Sequence, residues 1–291
     1  MSEIDKLKLL RGKPIVLSDK LTLYQPTIGQ IEEADEASFM GTFYSMCSCA
    51  WDHPSALADM GIDFMSIDDW TYFYQTTHGL TKEQTHLIFG DLDFSKLSPC
   101  MYQKEDAQEI VLANFEEIEI NGIKYAPGEY IFTEQMYKDC IPYVREMIGF
   151  SHSGRKAANK ATAKILIMDD RKQRARNKNK PYESMFHNGI ISLVNTEEFS
   201  YTYETVFNLT IYQFMKSLLQ IQGKKQACAM LQGSMSGFVD TSKIPSSSFQ
   251  WVYSEEKYNK RGGKTLKESL SPGGNSLNIK QPLSSDGDTK N

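Results

Sequence analysis

The chain has 291 residues, 40% hydrophobic and 24% charged, enough to bury a sizeable core in one large or two modest domains. No apolar run approaches eighteen residues, and the start alternates charge with leucine, which argues against a transmembrane span or a signal peptide and gives a cytoplasmic expectation. Five cysteines, with Cys47 and Cys49 as the only close pair, make neither a disulfide framework nor a metal knuckle, so reduced and mostly buried thiols are expected.

The net charge of −5 is unevenly placed. From Gly154 to Lys180 there are ten Lys or Arg against two Asp, so this segment carries +8 and the rest of the chain −13.

In chain order, residues 1–26 read as an N-terminal β-hairpin, with β-prone runs Pro14 to Leu17 and Leu21 to Tyr24 around Ser18-Asp19. Residues 27–250 read as a mainly helical body. Thr27 and Gln30 have capping-box spacing and open a long helix with Ile28, Phe39, Phe43, Met46 and Ala50 on one face. Glu32, Glu33, Asp35 and Glu36 lie in its first half, where the helix dipole favours them, and support the helix rather than a substrate. Gly61 breaks the pattern. Asp68 and Asp69 then lead into Trp70, Phe73, Tyr74 and Thr77 at helical spacing, and Thr81 with Gln84 starts a shorter helix.

After Asp91-Leu92-Asp93 the period changes to two. Ile118 and Ile120, Asn121-Gly122, then Ile123 and Tyr125 give a hairpin with a type I′ turn. With Ile110 to Ala113 and Tyr130 to Phe132 it predicts a small antiparallel β insertion of three or four strands at about 108–132. Helical spacing returns at Met136, Cys140, Val144 and Met147 behind a Thr133 cap. Pro142 predicts a kink or a restart near Asp139, and Gly149 ends the element.

A basic helix at about 154–178 follows. Its expected apolar seam is Ala158, Ala161, Ile165 and Met168, and Lys156, Lys160, Lys164, Arg171 and Arg174 gather on another face. After Pro181 comes an apolar run with Ile190, Ile191, Leu193 and Val194, and then Thr210 to Gln222. Here Ile211, Tyr212, Phe214, Met215, Leu218, Leu219 and Ile221 cover most of the helix surface, leaving Gln213, Lys216, Ser217 and Gln220 as a narrow stripe. A third capping box, Thr210 with Gln213, starts this expected central buried helix. Ala227 to Gln232 predicts another short helix, Gly233 to Asp240 a turn, and residues 251–291 a flexible tail. The fold class is therefore α+β, mainly α, with a multi-helix core.

No catalytic constellation is evident, and the chain is expected not to be an enzyme, with no cofactor and no metal. Gly262-Gly263-Lys264-Thr265 ends like a phosphate-binding loop, but Tyr258 stands where the motif needs glycine and no apolar strand precedes it. Asp91 and Asp93 are better suited to capping than to metal binding. The five histidines lack zinc spacing, and Cys47 and Cys49, about 200° apart on a helix, point different ways. The basic face is the most informative feature. It suits phosphates of a nucleic acid or an acidic protein surface, and it lacks the interleaved aromatics of a single-strand binder.

Several strings carry a family resemblance: DKLKLLRGKPIVLSDKLTLYQPTIGQI, FGDLDF, YVREMIGF running into the basic helix, and NLTIYQFMKSLLQIQ followed by LQGSMSGFVD, together spanning most of Asp5 to Asp240. The chain resembles proteins of tailed bacteriophages and prophages of Gram-positive bacteria from the tail-morphogenesis region, and among them a tail assembly chaperone or tail-associated virion protein. That resemblance implies phage tail or other virion structural proteins as partners, bound by protein–protein contact in the host cytoplasm or in the virion, with no membrane. The alternative is a phage nucleic-acid-binding protein that uses the basic helix.

Overall fold

A computed structural model of the protein describes residues 5–104, 107–151, 156–197 and 199–235. The expected tail at 251–291, the phosphate-loop-like string within it and most of the expected turn at 233–240 lie outside the described residues. The described chain is mainly helical with small antiparallel sheets, the class expected from the sequence. It divides into two compact units, Met1–Lys216 and Ser217–Asn291.

In the first unit a short helix, α1 (Lys6–Leu10), precedes the N-terminal hairpin of β1 (Ile15–Ser18) and β2 (Leu21–Leu23). Leu9, Ile15, Leu21 and Leu23 are buried. The capping box of Thr27 and Gln30 forms in both directions and starts α2 (Ile28–Glu33). The long helix expected from there is broken. Asp35 takes a left-handed φ of 67° and caps a separate α3 (Glu36–Cys47), its carboxylate accepting from the Ser38 amide at 3.0 Å. Cys49 therefore lies beyond α3, as the cap of a 3-10 turn over Ala50–Asp52.

α4 (Pro54–Asp59), α5 (Asp69–Thr77) and α6 (Lys82–Phe89) follow, the last behind the Thr81–Gln84 capping box. Trp70 and Phe73 of α5 meet Phe132 in near-parallel stacks, and Phe94 packs edge-on against Phe73 and Phe132, forming an aromatic core.

The β insertion is larger than the sequence predicts. β3 (Leu97–Lys104) pairs along its length with β4 (Ala107–Asn114), and β4 pairs with β7 (Ile131–Phe132), giving the order β3-β4-β7. Pro99 hides β3 from a pattern search, and an edge strand is where a sheet tolerates proline. β5 (Ile118–Ile120) and β6 (Ile123–Tyr125) form the expected hairpin, with Asn121 and Gly122 at φ of 52° and 78° as a type I′ turn requires.

α7 (Glu134–Ile148) runs through Pro142 with no restart at Asp139, capped by Thr133 and ended by left-handed Gly149. α8 (Lys160–Asn177) is the basic helix, and α9 (Met185–Val194) carries the apolar run after Pro181. The start of α9 is fixed from afar. The Glu36 carboxylate accepts from the Met185 and Phe186 amides at 2.8 and 3.3 Å, from the Tyr182 hydroxyl at 2.9 Å and from the Ser184 hydroxyl. Glu36 thus supports a helix other than its own.

The central helix, α10 (Ile211–Met235), is one element, so the short helix expected at 227–232 is its continuation. Ile211, Tyr212 and Phe214 are buried in its first turn, within the first unit, while Leu219 in the second unit is half exposed. No helix among the described residues is long and apolar enough to cross a membrane.

Candidate protein-docking helix

α8 is capped by Asn159, whose side chain accepts from the Thr162 amide at 2.9 Å. Of its eighteen residues only Ala163 is buried. It joins Ala50, Leu57, Phe64 and Tyr72 in a small core, with Ala157 and Ile167 packed beside them. The holding seam is therefore Ala163, Ile167, Asp170 and Arg174, spaced four, three and four residues apart on one helix face.

Polar contacts continue this seam. Asp170 accepts from the Ser55 amide at 3.0 Å, placing an anion at the start of α4, whose cap residue His53 makes no side-chain capping bond. At the other end of α4, Asp59 pairs with Arg171, and with Arg174 at 3.8 Å, while Arg174 also donates to the Ser55 hydroxyl at 3.1 Å. A carboxylate at a helix C-terminus is unfavourable to the dipole, and the two guanidinium groups offset it.

The structure thus divides the five expected binding residues. Arg171 and Arg174 are engaged by α4. Lys156, Lys160 and Lys164 are exposed and have no counter-charge among the described residues. The expected apolar seam is turned the other way, since Ile165 and Met168 are 59% and 55% exposed. Composition favoured the larger apolar residues. The better signal was the small Ala163 in register with Ile167, because a helix lying close against a neighbour needs a small residue at the contact.

A cleft of about 270 Å³ is lined by Lys82, Asp91, Asp93, Lys96, Glu117, Ile118 and Glu119. Asp91 pairs with Lys82 at 2.8 Å, a hydrogen bond that holds its carboxyl below the ordinary value, and Asp93 caps a 3-10 turn by accepting from Ser95. No group of metal-ligating side chains occurs among the described residues. Burial pushes the Cys47 and Cys140 thiols far up, and burial together with the neighbouring Asp52 raises Cys49 to about 12, so none of the three is a thiolate near neutrality.

Residues 177–254 match the family model described as the YomV second domain, a match that points to a family of the phage or prophage type. The matched segment covers about a quarter of the chain and starts at the last residue of α8, so the rest of α8 precedes it. No curated protein and no solved structure matches the chain.

Proposed function

We propose that the protein is a phage morphogenesis factor, a tail assembly chaperone or tail-associated virion protein, that acts by binding a virion structural protein rather than by catalysis. The observation that carries this reading is the state of α8. It is tied to the body along one narrow seam, and the rest of its surface presents unneutralised cations, among them Lys160 and Lys164, with Lys156 just before its cap, to a partner in the host cytoplasm or the virion. The phage-type match of residues 177–254 supports the biological setting.

The test is affinity purification of tagged protein from its producing cells, with and without nuclease. One or two structural proteins retained after nuclease, and lost when Lys156, Lys160 and Lys164 are replaced by Glu, is the expected result. The excess of cations on α8 favours a second reading, a phage nucleic-acid binder. Recovery dominated by nucleic acid and abolished by nuclease would replace the first reading with the second.

A further inference from the structure

The outward face of α8 has a pattern of its own. Ala161, Ile165, Met168, Lys172 and Ala175 are spaced four, three, four and three residues apart and all are exposed. This is the a/d spacing of a helix that receives another helix along its length. Alanines at the two ends allow close approach, and Ile165 and Met168 in the middle supply the apolar contact. In this register Lys164 and Arg171 stand at g and Asp169 and Arg176 at e, Arg171 being paired with Asp59, so the flanks are cationic on balance, and no carboxylate falls in the arc of about 120° between Lys164 and Arg176 at 100° per residue.

Resting on the protein-partner reading above, we infer that this seam docks one acidic amphipathic helix of the partner, with apolar residues at a and d and carboxylates flanking them. The length available, eighteen residues at about 1.5 Å each, accommodates roughly five turns of such a helix. Charge complementarity selects the occupant. A second copy of α8 would set Lys172 and the flanking cations against their own kind, and like charges at these positions oppose pairing. Phosphates of a nucleic acid would satisfy the cations but leave Ile165 and Met168 without a counterpart. A bilayer surface calls for a broad apolar face, and two large residues among alanines and lysines do not make one.

The experiment uses the full-length protein and a labelled peptide of three heptads with leucine at a and d and glutamate at e and g. Its counterparts carry glutamine or lysine in place of glutamate. The glutamate peptide is expected to bind at least tenfold tighter than the glutamine peptide, more weakly as salt rises. Ile165→Ser with Met168→Ser should cost at least tenfold. Lys164→Glu with Arg176→Glu should transfer the preference to the lysine peptide. All four changes are at exposed sites, and circular dichroism checks that the fold is kept. Equal binding of the glutamate and glutamine peptides, or tighter binding of duplex DNA or phosphatidylglycerol vesicles, overturns the inference. If a structural protein still co-purifies from producing cells with the Ile165→Ser/Met168→Ser variant, the morphogenesis reading stands and this face is not its docking site.

Discussion

Thr27 and Thr210 form an isolated antiparallel bridge, the Ile28 amide donating to the Leu209 carbonyl and the Ile211 amide to the Pro26 carbonyl, both at 2.9 Å. Each is the cap residue of its own capping box, with Gln30 and Gln213 respectively. The starts of α2 and α10 are thus fastened to each other as well as capped, and Gln213 reaches on to the Leu10 carbonyl at 2.7 Å. Two N-termini carry like partial charge, so their meeting depends on every amide there finding an acceptor.

From this joint, Thr27→Ala and Thr210→Ala are each expected to lower stability by about 1 kcal/mol, the usual cost of losing a cap hydroxyl. Because the two residues are in contact, the double variant should depart from the sum by about 0.5 kcal/mol or more. Urea unfolding of the four proteins measures both numbers, and strict additivity would refute the joint.

Asn114 holds the β insertion together. Its side-chain amide donates to the Glu116 and Ala126 carbonyls, both at 2.8 Å, and its carbonyl accepts from the Tyr130 amide at 2.9 Å. The residue is 2% exposed, so Asn114→Ala strands buried backbone groups. A loss of about 2–6 kcal/mol is expected from two unsatisfied groups at about 1–3 kcal/mol each. Hydrogen exchange should show the loss concentrated in β5 and β6.

The attachment of α8 should depend on Ala163 more than on its ion pairs. Asp59 and Arg171 have half-exposed side chains, and surface pairs of this kind contribute about 0–1 kcal/mol. Asp59→Asn is therefore expected to change stability by less than about 1 kcal/mol. Ala163→Glu buries a charge in the core of Leu57, Phe64 and Tyr72, and limited proteolysis should then cut α8 rapidly while the Asp59→Asn protein resists.

Thiol reactivity gives a compact test of the burial pattern. Cys100 and Cys228 are exposed, whereas Cys47, Cys49 and Cys140 are buried. The native protein should label quickly at the first two and slowly at the others. Cys49 should stay slow at pH 9, because with its pKa raised to about 12 the thiolate is a minor species there. Rapid labelling of Cys49 at that pH would refute this account of its surroundings.

Local chemistry was readable from the chain. Three Thr-x-x-Gln boxes, the Thr133 cap, the Gly149 stop and the Asn121-Gly122 turn all appear where the sequence puts them, because each is settled by residues within a few positions of one another. Two breaks in expectation arise where distant residues decide. The helix from Thr27 ends early because Asp35 takes a left-handed conformation, while the neighbouring Glu36 reaches across to α9. β3 was hidden because its evidence is its pairing with β4 rather than its own alternation.

α8 makes the same division. The sequence by itself determined that the segment at about 154–178 is largely helical, that it is strongly basic and that small and large apolar residues recur along it. Only the tertiary structure decided that the face turned inside is that of Ala163 rather than the expected seam of Ile165 and Met168. Ala163 and Ile167 fit against α4, where Ser55 and Asp59 satisfy Asp170, Arg171 and Arg174, and that choice turns Ile165, Met168 and the lysines outward. Helical periodicity fixes the angle between two faces, but only the shape and charge of the neighbouring element select the one that is buried.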